Sequence, residues 1–277
     1  KFIKNIRLIK QLQDIYTIIS RNISNPKRTI NAIEERRISM RRICNEVEIF
    51  LSPSEFLREK FIEFGIPEKN ILLVKNGIDK ALFKNYEAHK KDGRLIFGFI
   101  GTILPAKGLH ILIEAFNKIN HNGKSYLRIY GKLYPYNGFE YYPGYIKKIG
   151  LNNQNIHFMG NFDNQKIGEI LSEVDILVIP SIWLENAPLT IQEAFCAKVP
   201  VIASRIGGIP ELVTDNLNSL LFNPGDTNDL AEKMKFVIDN PGVINRFKGN
   251  IPEIKNITEN AQEVEKLYIS LISKNKQ

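Results

Sequence analysis

A doubly wound α/β domain, with a parallel sheet of about six strands covered by helices on both faces, is the fold this sequence predicts. Three observations carry that expectation. From Leu95 onward, short β-branched apolar runs recur with helix-length stretches between them. Those runs are continuous rather than alternating, which marks strands buried on both faces. Finally, 277 residues with 43% hydrophobic and 25% charged residues are ordinary globular material, sufficient for a large core.

Residues 1–45 read as helix, because Ile6, Ile9, Leu12, Ile15, Ile18 and Ile19 fall at helical spacing. Asn25-Pro26 breaks that run before a second helix. Val47 to Leu51 is a short strand candidate, and Ser52-Pro53 opens a helix to Phe64, stopped by Gly65 and Pro67. Ile71 to Val74 is another strand, ending in the turn Asn76-Gly77. The polar, weakly patterned stretch from Asp79 to Arg94 is the best linker candidate, so the chain divides at 1–75, 76–94, 95–250 and 251–277. The predicted strands of the regular part are 95–100, 126–130, 156–158, 175–179, 199–203 and 219–222. Predicted helices between them are 109–120, 141–149, 165–173, 190–197 and 209–213, with 229–238 after the last strand and a helix within 251–277 expected to pack back towards the N-terminal part.

Composition excludes several classes. Two cysteines, Cys44 and Cys196, cannot form a disulfide framework, so a reducing, cytoplasmic setting is expected. The longest strand-like apolar stretch, Val174 to Pro180, contains Asp175 and is far short of the roughly 20 residues a membrane helix needs. No signal peptide is visible; the chain opens on Lys1 inside a helix-like stretch, and a fragment is expected.

The net charge of +8 is local. Residues 1–45 hold eleven Lys and Arg against three acids, which accounts for all of it. Only Phe2 and Tyr16 accompany those cations, too few aromatics for a nucleic-acid footprint. Two readings stay open: a solvated helical face, or contact with an anionic membrane surface.

Doubly wound sheets bind ligands at the carboxyl ends of their strands, so the informative loops are 101–108, 131–140, 159–164, 180–190 and 204–209. The first, Gly101-Thr102-Ile-Leu-Pro-Ala-Lys107-Gly108, precedes a helix, whose free N–H groups and partial positive charge suit a phosphate, with Lys107 adding a full charge. It contains neither G-x-G-x-x-G nor a Gly-Lys-Ser/Thr loop. On this loop alone, a plain turn with a surface lysine explains it equally well.

The stretch from Pro180 to Glu193 follows the strongest strand and enters a helix, with Asn186 as a plausible N-cap and Pro188 in the first turn. Glu185 stands just before that helix and Glu193 two turns inside it, between Ile191 and Ala194-Phe195. A carboxylate in an apolar helix is costly unless paired or functional. Capping and a salt bridge compete with binding of sugar hydroxyls for these two residues. In Ser204-Arg-Ile-Gly207-Gly208-Ile-Pro-Glu211, paired glycines allow a ligand close to the backbone, and serve equally as a turn.

In this order the residues resemble the retaining GT-B glycosyltransferases of family 4 (glycosyl transferases group 1). The carriers are Glu185 and Glu193 as an E-x7-E signature inside Pro-Ser-x-x-x-Glu…Glu-Ala, Lys107-Gly108, Pro200-Val-Ile-Ala-Ser204 and Gly207-Gly208-Ile-Pro-Glu211. Ser52-Pro-Ser54-Glu-Phe, Gly65-Ile-Pro-Glu-Lys and Asn76-Gly-Ile-Asp79 are similar to the stretch that ends the family's first domain, and Trp183-Leu-Glu-Asn-Ala-Pro188 to a bacterial branch. The resemblance spans residues 40–275 and implies the C-terminal Rossmann-like domain of a GT-B fold plus a partial N-terminal domain.

It further implies sugar transfer from a UDP- or GDP-linked donor to a glycan or lipid-linked acceptor, as in bacterial-type surface polysaccharide synthesis, with no metal or other cofactor. Lys107 would neutralise the donor diphosphate, Glu193 would hold the ribose hydroxyls, and Glu185, the catalytic candidate, would contact and position the donor sugar. The N–H groups of Leu189 and Thr190 would cradle phosphate, Phe162 would border the base, and Gly101, Thr102, Asn186, Gly207 and Gly208 complete the donor-binding set. The sequence has no Asp-x-Asp, in keeping with metal-independent chemistry. A cytoplasmic protein, peripheral on the inner membrane face through residues 1–45, is expected. A non-catalytic nucleotide-binding module and a nucleotide-sugar epimerase are the alternatives.

Four departures from the family pattern stand out. Thr102 replaces an Arg, Lys198 a Gly before the Pro-Val strand, and Ser219 the Gly of an Asn-Gly pair. Most of the acceptor domain is expected to be absent, leaving residues 1–75 as its remnant. No histidine receives a role.

Overall fold

The structure, a computed structural model, describes residues 26–84, 93–119, 123–136 and 138–274. The helix expected over residues 1–25, with about half of the basic stretch, lies outside the described residues, as do His89 and His121. Two compact units emerge. One is built on residues up to Phe50 with Phe61–Ile71, the other on Leu51–Lys60 with Leu72–Gln277. The first carries α1 (Pro26–Asn45) and a small core in which Cys44, Ile66 and Ile71 meet Phe50, Phe61, Ile62 and Phe64. Arg41 secures it by donating from Nε to the Phe64 carbonyl and stacking over the Phe64 ring at 5.5 Å.

Two short strands, β1 (Phe50–Ser52) and β2 (Ile71–Leu73), flank α2 (Glu55–Phe64) in the chain. Then come six strands: β3 (Leu95–Ile100), β4 (Ser125–Tyr130), β5 (Ile156–Gly160), β6 (Ile176–Ile179), β7 (Val201–Ser204) and β8 (Leu220–Phe222). They form one sheet in the order β5-β4-β3-β6-β7-β8, every pair parallel. The predicted α/β class and six-stranded parallel sheet are both present.

The continuous apolar runs make sense once the two faces are separated, because successive side chains point to opposite faces. Phe97, Phe99, Leu127, Ile129, Ile176, Val178, Ile202, Leu220 and Phe222 join one core with α3 (Leu109–Lys118), α4 (Tyr142–Gly150), α7 (Thr227–Asp239) and α8 (Gly242–Gly249). Ile100, Tyr130, Leu177, Ile179, Val201, Ala203 and Leu221 join the other with α5 (Ile167–Ser172) and α6 (Leu189–Cys196). A fully buried Leu, Ile or Phe contributes about 1.5–3 kcal/mol, so strands apolar on both sides hold both helical layers.

Element boundaries differ from expectation for identifiable reasons. β6 starts at Ile176, one residue later than expected; Asp175 ahead of it clasps Ile96 twice, its N–H donating to the Ile96 carbonyl at 2.9 Å and its carboxylate accepting the Ile96 N–H at 2.8 Å. The predicted helix 209–213 is a single 3-10 turn, Ile209–Glu211, since the Thr214 N–H is taken by Asn218 Oδ1 at 3.0 Å. A 3-10 turn at Asn164–Lys166, capped by Asp163, replaces the start of the helix expected from 165. α8 lies where no helix was expected, after the predicted 229–238. Within the larger unit, residues 76–84 pack down: Ile78 pairs with Asn256 at the start of α9 (Ile257–Lys274), and Leu82 and Phe83 touch the second core. Among the described residues, no helix is long and apolar enough to cross a membrane.

Two family departures acquire a physical meaning here. Ser219 is fully buried, its Oγ accepting the Val201 N–H at 3.0 Å and donating to the Asn218 carbonyl at 2.6 Å, which ties β8 to β7. Lys198 sits at φ 57°, left-handed backbone that suits glycine. Lys198→Gly should therefore stabilise the chain by up to about 1 kcal/mol in a urea melt. An unchanged or lower midpoint would show that the turn carries no strain.

Candidate functional site

Strand order reverses between β3 and β6, so the loops after these two strands face each other at the carboxyl edge. They approach backbone to backbone. Gly108 has φ 70°, and a Cβ on it would lie 1.8 Å from the Pro180 carbonyl oxygen. Ile182 N–H donates to the Ala106 carbonyl at 2.9 Å, fastening the second loop to the first.

This contact brings together side chains 78 residues apart. Lys107 Nζ donates to Glu185 Oε1 at 2.7 Å, and Ser181 Oγ donates to the same oxygen at 2.6 Å. The Glu185 side chain is 13% exposed against 41% for Lys107, so the pair is anchored at the carboxylate and open at the ammonium. Glu185 is also held by its backbone, whose carbonyl accepts the Gly208 N–H at 2.7 Å. A Cβ on Gly207 would lie 2.2 Å from that carbonyl oxygen, and one on Gly208 would lie 1.8 Å from the Asn186 carbonyl oxygen. The paired glycines thus serve close backbone approach; here the approaching group is the Glu185 loop itself.

Two adjoining cavities share Gly101 and Thr102. The smaller, about 220 Å³, is lined by Lys107, Ser181, Glu185, Pro188 and Thr190 as well. The larger, about 540 Å³, is lined by Phe162 with Lys132, Tyr134, Tyr136, Asn161 and Asn164. Phe162 stands edge-on to Tyr130, ring centres 6.3 Å apart, and Tyr130 reaches Glu173, itself paired with Arg128. A still larger cavity, about 640 Å³, opens at the amino ends of the strands beside Arg94 and Lys124, and none of the predicted site residues line it.

The helix entrance corrects one expectation. α6 begins at Leu189 with Pro188 in the capping position, φ −59° and ψ 119°, and no side chain caps it. Asn186 is exposed two residues upstream and is not the N-cap. The Leu189 and Thr190 N–H groups have no hydrogen-bond partner among the described residues, as expected of an uncapped helix start. α6 starts at Leu189, one residue before the expected 190, and Glu193 lies on its second turn.

Glu193 differs from Glu185. Its half-buried carboxylate has no hydrogen bond or ion pair among the described residues, and burial raises its pKa above the ordinary glutamate value. It lines neither of the two cavities. Sequence reasoning assigned no role to Ser181, although the Pro-Ser-x-x-x-Glu pattern contains it, nor to Tyr134 and Tyr136. His110, paired with Tyr142 OH at 2.9 Å, and His157, edge-on to Tyr126, are packing residues.

A family model described as glycosyl transferases group 1 matches residues 81–263. The chain belongs to the glycosyl transferases group 1 family. Every residue of the candidate site lies within that match. An uncharacterised glycosyltransferase of Methanocaldococcus jannaschii is 32% identical over 61% of this chain and 44% of its own length. The amylovoran biosynthesis glycosyltransferase of Erwinia amylovora is 25% identical over 82% of this chain and 56% of its own. The chain spans about half the length of the curated relatives it matches. Among solved structures, Anabaena HepE in complex with UDP and glucose has a TM-score of 0.73 at 21% identity, covering 84% of this chain and 67% of that one. Sucrose-phosphate synthase from Thermosynechococcus elongatus also has a TM-score of 0.73 at 21% identity, covering 87% of this chain and 62% of that one. These likenesses show the fold.

The raised pKa of Glu193 has a consequence for stability. Between the ordinary glutamate pKa and the raised one, the folded chain binds more protons than the unfolded chain, so stability falls as pH rises through that window. Glu193→Gln should raise Tm at pH 7 and leave it nearly unchanged at pH 4. A variant less stable than wild type at pH 7 would show that the carboxylate has a partner.

Proposed function

We propose that the chain is the donor-binding part of a retaining, family 4 glycosyltransferase that moves a sugar from a UDP- or GDP-linked donor to a glycan or lipid-linked acceptor. The observation that carries this reading is the Lys107–Glu185 pair at a cavity that an uncapped helix start also borders. Two sources of positive potential, an ammonium and free helical N–H groups, converge on one small space; that suits a diphosphate. In the proposed transfer the bond from the sugar's anomeric carbon to the diphosphate oxygen breaks, a bond from that carbon to an acceptor hydroxyl oxygen forms on the same face, the hydroxyl proton leaves with the diphosphate, and negative charge grows on the leaving group. Lys107 and the Leu189 and Thr190 N–H groups stabilise that charge in place of a divalent ion. Glu185, immobilised by Ser181, Lys107 and the Gly-Gly turn, orients the donor sugar. Glu193, unpaired and half-buried, takes the ribose hydroxyls. The 540 Å³ cavity beside Phe162 receives the base, with Tyr134 and Tyr136 as further walls.

On this reading residues 95–250 form the donor domain and 1–75 belong to an acceptor domain. The printed names of relatives support it: HepE was crystallised with UDP and glucose, and the Erwinia amylovora relative acts in amylovoran biosynthesis. Surface polysaccharide synthesis on the cytoplasmic face, with residues 1–45 touching an anionic membrane, completes the proposal.

Calorimetric titration with UDP and GDP tests it. One nucleotide should bind, unaffected by EDTA, and Lys107→Ala and Glu193→Ala should each weaken binding about tenfold, the loss of one charge-assisted hydrogen bond. No affinity for either nucleotide, or affinity indifferent to both substitutions, would sink the site assignment.

A further inference from the structure

Glu211 takes no part in the proposed transfer, yet it makes the longest-range side-chain contact to this region. Its carboxylate accepts two backbone hydrogen bonds, from the Glu55 N–H at 2.8 Å and the Phe56 N–H at 2.7 Å. These are the first two amides of α2, and Ser54 Oγ takes the Leu57 N–H at 3.2 Å. Three of the four donors that a helix start leaves unpaired are thereby satisfied, two of them by a side chain about 155 residues distant. A carboxylate there also meets the favourable end of the helix dipole.

The same contact anchors the Gly-Gly turn. Glu211 closes the 3-10 turn Ile209–Glu211, its own N–H donating to the Gly208 carbonyl at 3.2 Å. Gly208 is buried between two fixed groups: a Cβ on it would stand 1.8 Å from the Asn186 carbonyl oxygen and 3.3 Å from Ser54 Cβ. Its N–H holds the Glu185 carbonyl at 2.7 Å. A continuous path of short contacts therefore runs from the start of α2 through Glu211 and Gly208 to the Glu185 backbone, and on to Ser181 and Lys107.

We infer that Glu211 is a positioning residue: it locks the Gly207-Gly208 turn onto the start of α2 and so fixes Glu185 for the sugar end of the donor. The lock is a matter of geometry; its effect on ligand rests on the donor-site reading of Glu185.

Hydrogen exchange read by mass spectrometry on the unliganded 277-residue chain tests the lock without any ligand. Glu211→Gln places a carboxamide N–H against a backbone N–H, and exchange across 181–190 and 206–212 should rise about fivefold, the scale of a lost helix cap. Ser54→Ala trims the same helix start without touching the turn and should leave those segments unchanged. Protection equal to wild type in Glu211→Gln overturns the inference, and so does an equal rise in Ser54→Ala, which would reduce Glu211 to a cap. Glu211→Asp keeps the charge with shorter reach; should the Gln variant not fold, a smaller rise in the Asp variant supports the lock and no rise overturns it. With ligand, Glu211→Gln should lose affinity for UDP-glucose or GDP-mannose about fivefold while UDP and GDP bind as before; an equal loss for both overturns the positioning role. A wild-type chain that binds none of these ligands defeats the donor-site reading, and the exchange result alone then decides on Glu211.

Discussion

The site exists because three loops meet with no side chain between them. Gly108 against the Pro180 carbonyl brings the loop after β3 onto the loop after β6, and Gly207 and Gly208 bring the loop after β7 onto the backbone of Glu185 and Asn186. A methyl group at either place would overlap a carbonyl oxygen, and a shift of an ångström there would separate Lys107 from Glu185. Each functional side chain is thus placed by a backbone contact in a neighbouring loop, while the sheet beneath supplies a floor buried on both faces.

That arrangement divides the electrostatics between two glutamates of the same helix–loop element. Glu185 is paired, hydrogen-bonded twice at one oxygen and tethered through its own carbonyl. Such a carboxylate is immobile, which suits orientation of a ligand. Glu193 is half-buried without a partner among the described residues, its pKa raised by desolvation, so it retains unused acceptor capacity. Hydroxyl donors arriving from a ligand would recover what burial removed, whereas for Glu185 they would have to share an oxygen or take the other one. The two carboxylates of one short signature therefore answer different requirements.

What the sequence disclosed and what it withheld follow one physical line. Strands buried on both faces are legible because both faces demand apolar residues, and Ile176 to Ile179 and Val201 to Ala203 read as strands on that ground alone. Lys107, Glu185, Gly207 and Gly208 were legible as a set because each lies in a loop at the carboxyl edge. The withheld features depend on contacts that local pattern does not encode: Asn218 stopping the turn after Glu211, the Asp175 carboxylate reaching the Ile96 N–H, and Glu211 reaching α2. Local pattern also misplaced the start of α6, since Asn186 is the better capping residue by type while Pro188 has the backbone for it. Ser181 needed no distant partner, but a serine in a loop carries no signal until its neighbour at Glu185 is known.

The departures from the family pattern separate by the same logic. Ser219 stands where glycine is usual, and its hydroxyl is consumed in binding β8 to β7, so the change came with a new bond. Lys198 brings no such bond; its side chain is exposed and its left-handed backbone is strained, and the turn it occupies is fixed between α6 and the buried strand β7. Thr102 lines both cavities and is uncharged where the family pattern has Arg. That difference places more of the demand for positive potential on Lys107 and the α6 amides. A lysine held by Glu185, whose carboxylate Ser181 fixes in turn, therefore matters more here than a freely moving one would. Pre-orienting a single cation costs less entropy at the moment of binding than recruiting two flexible ones.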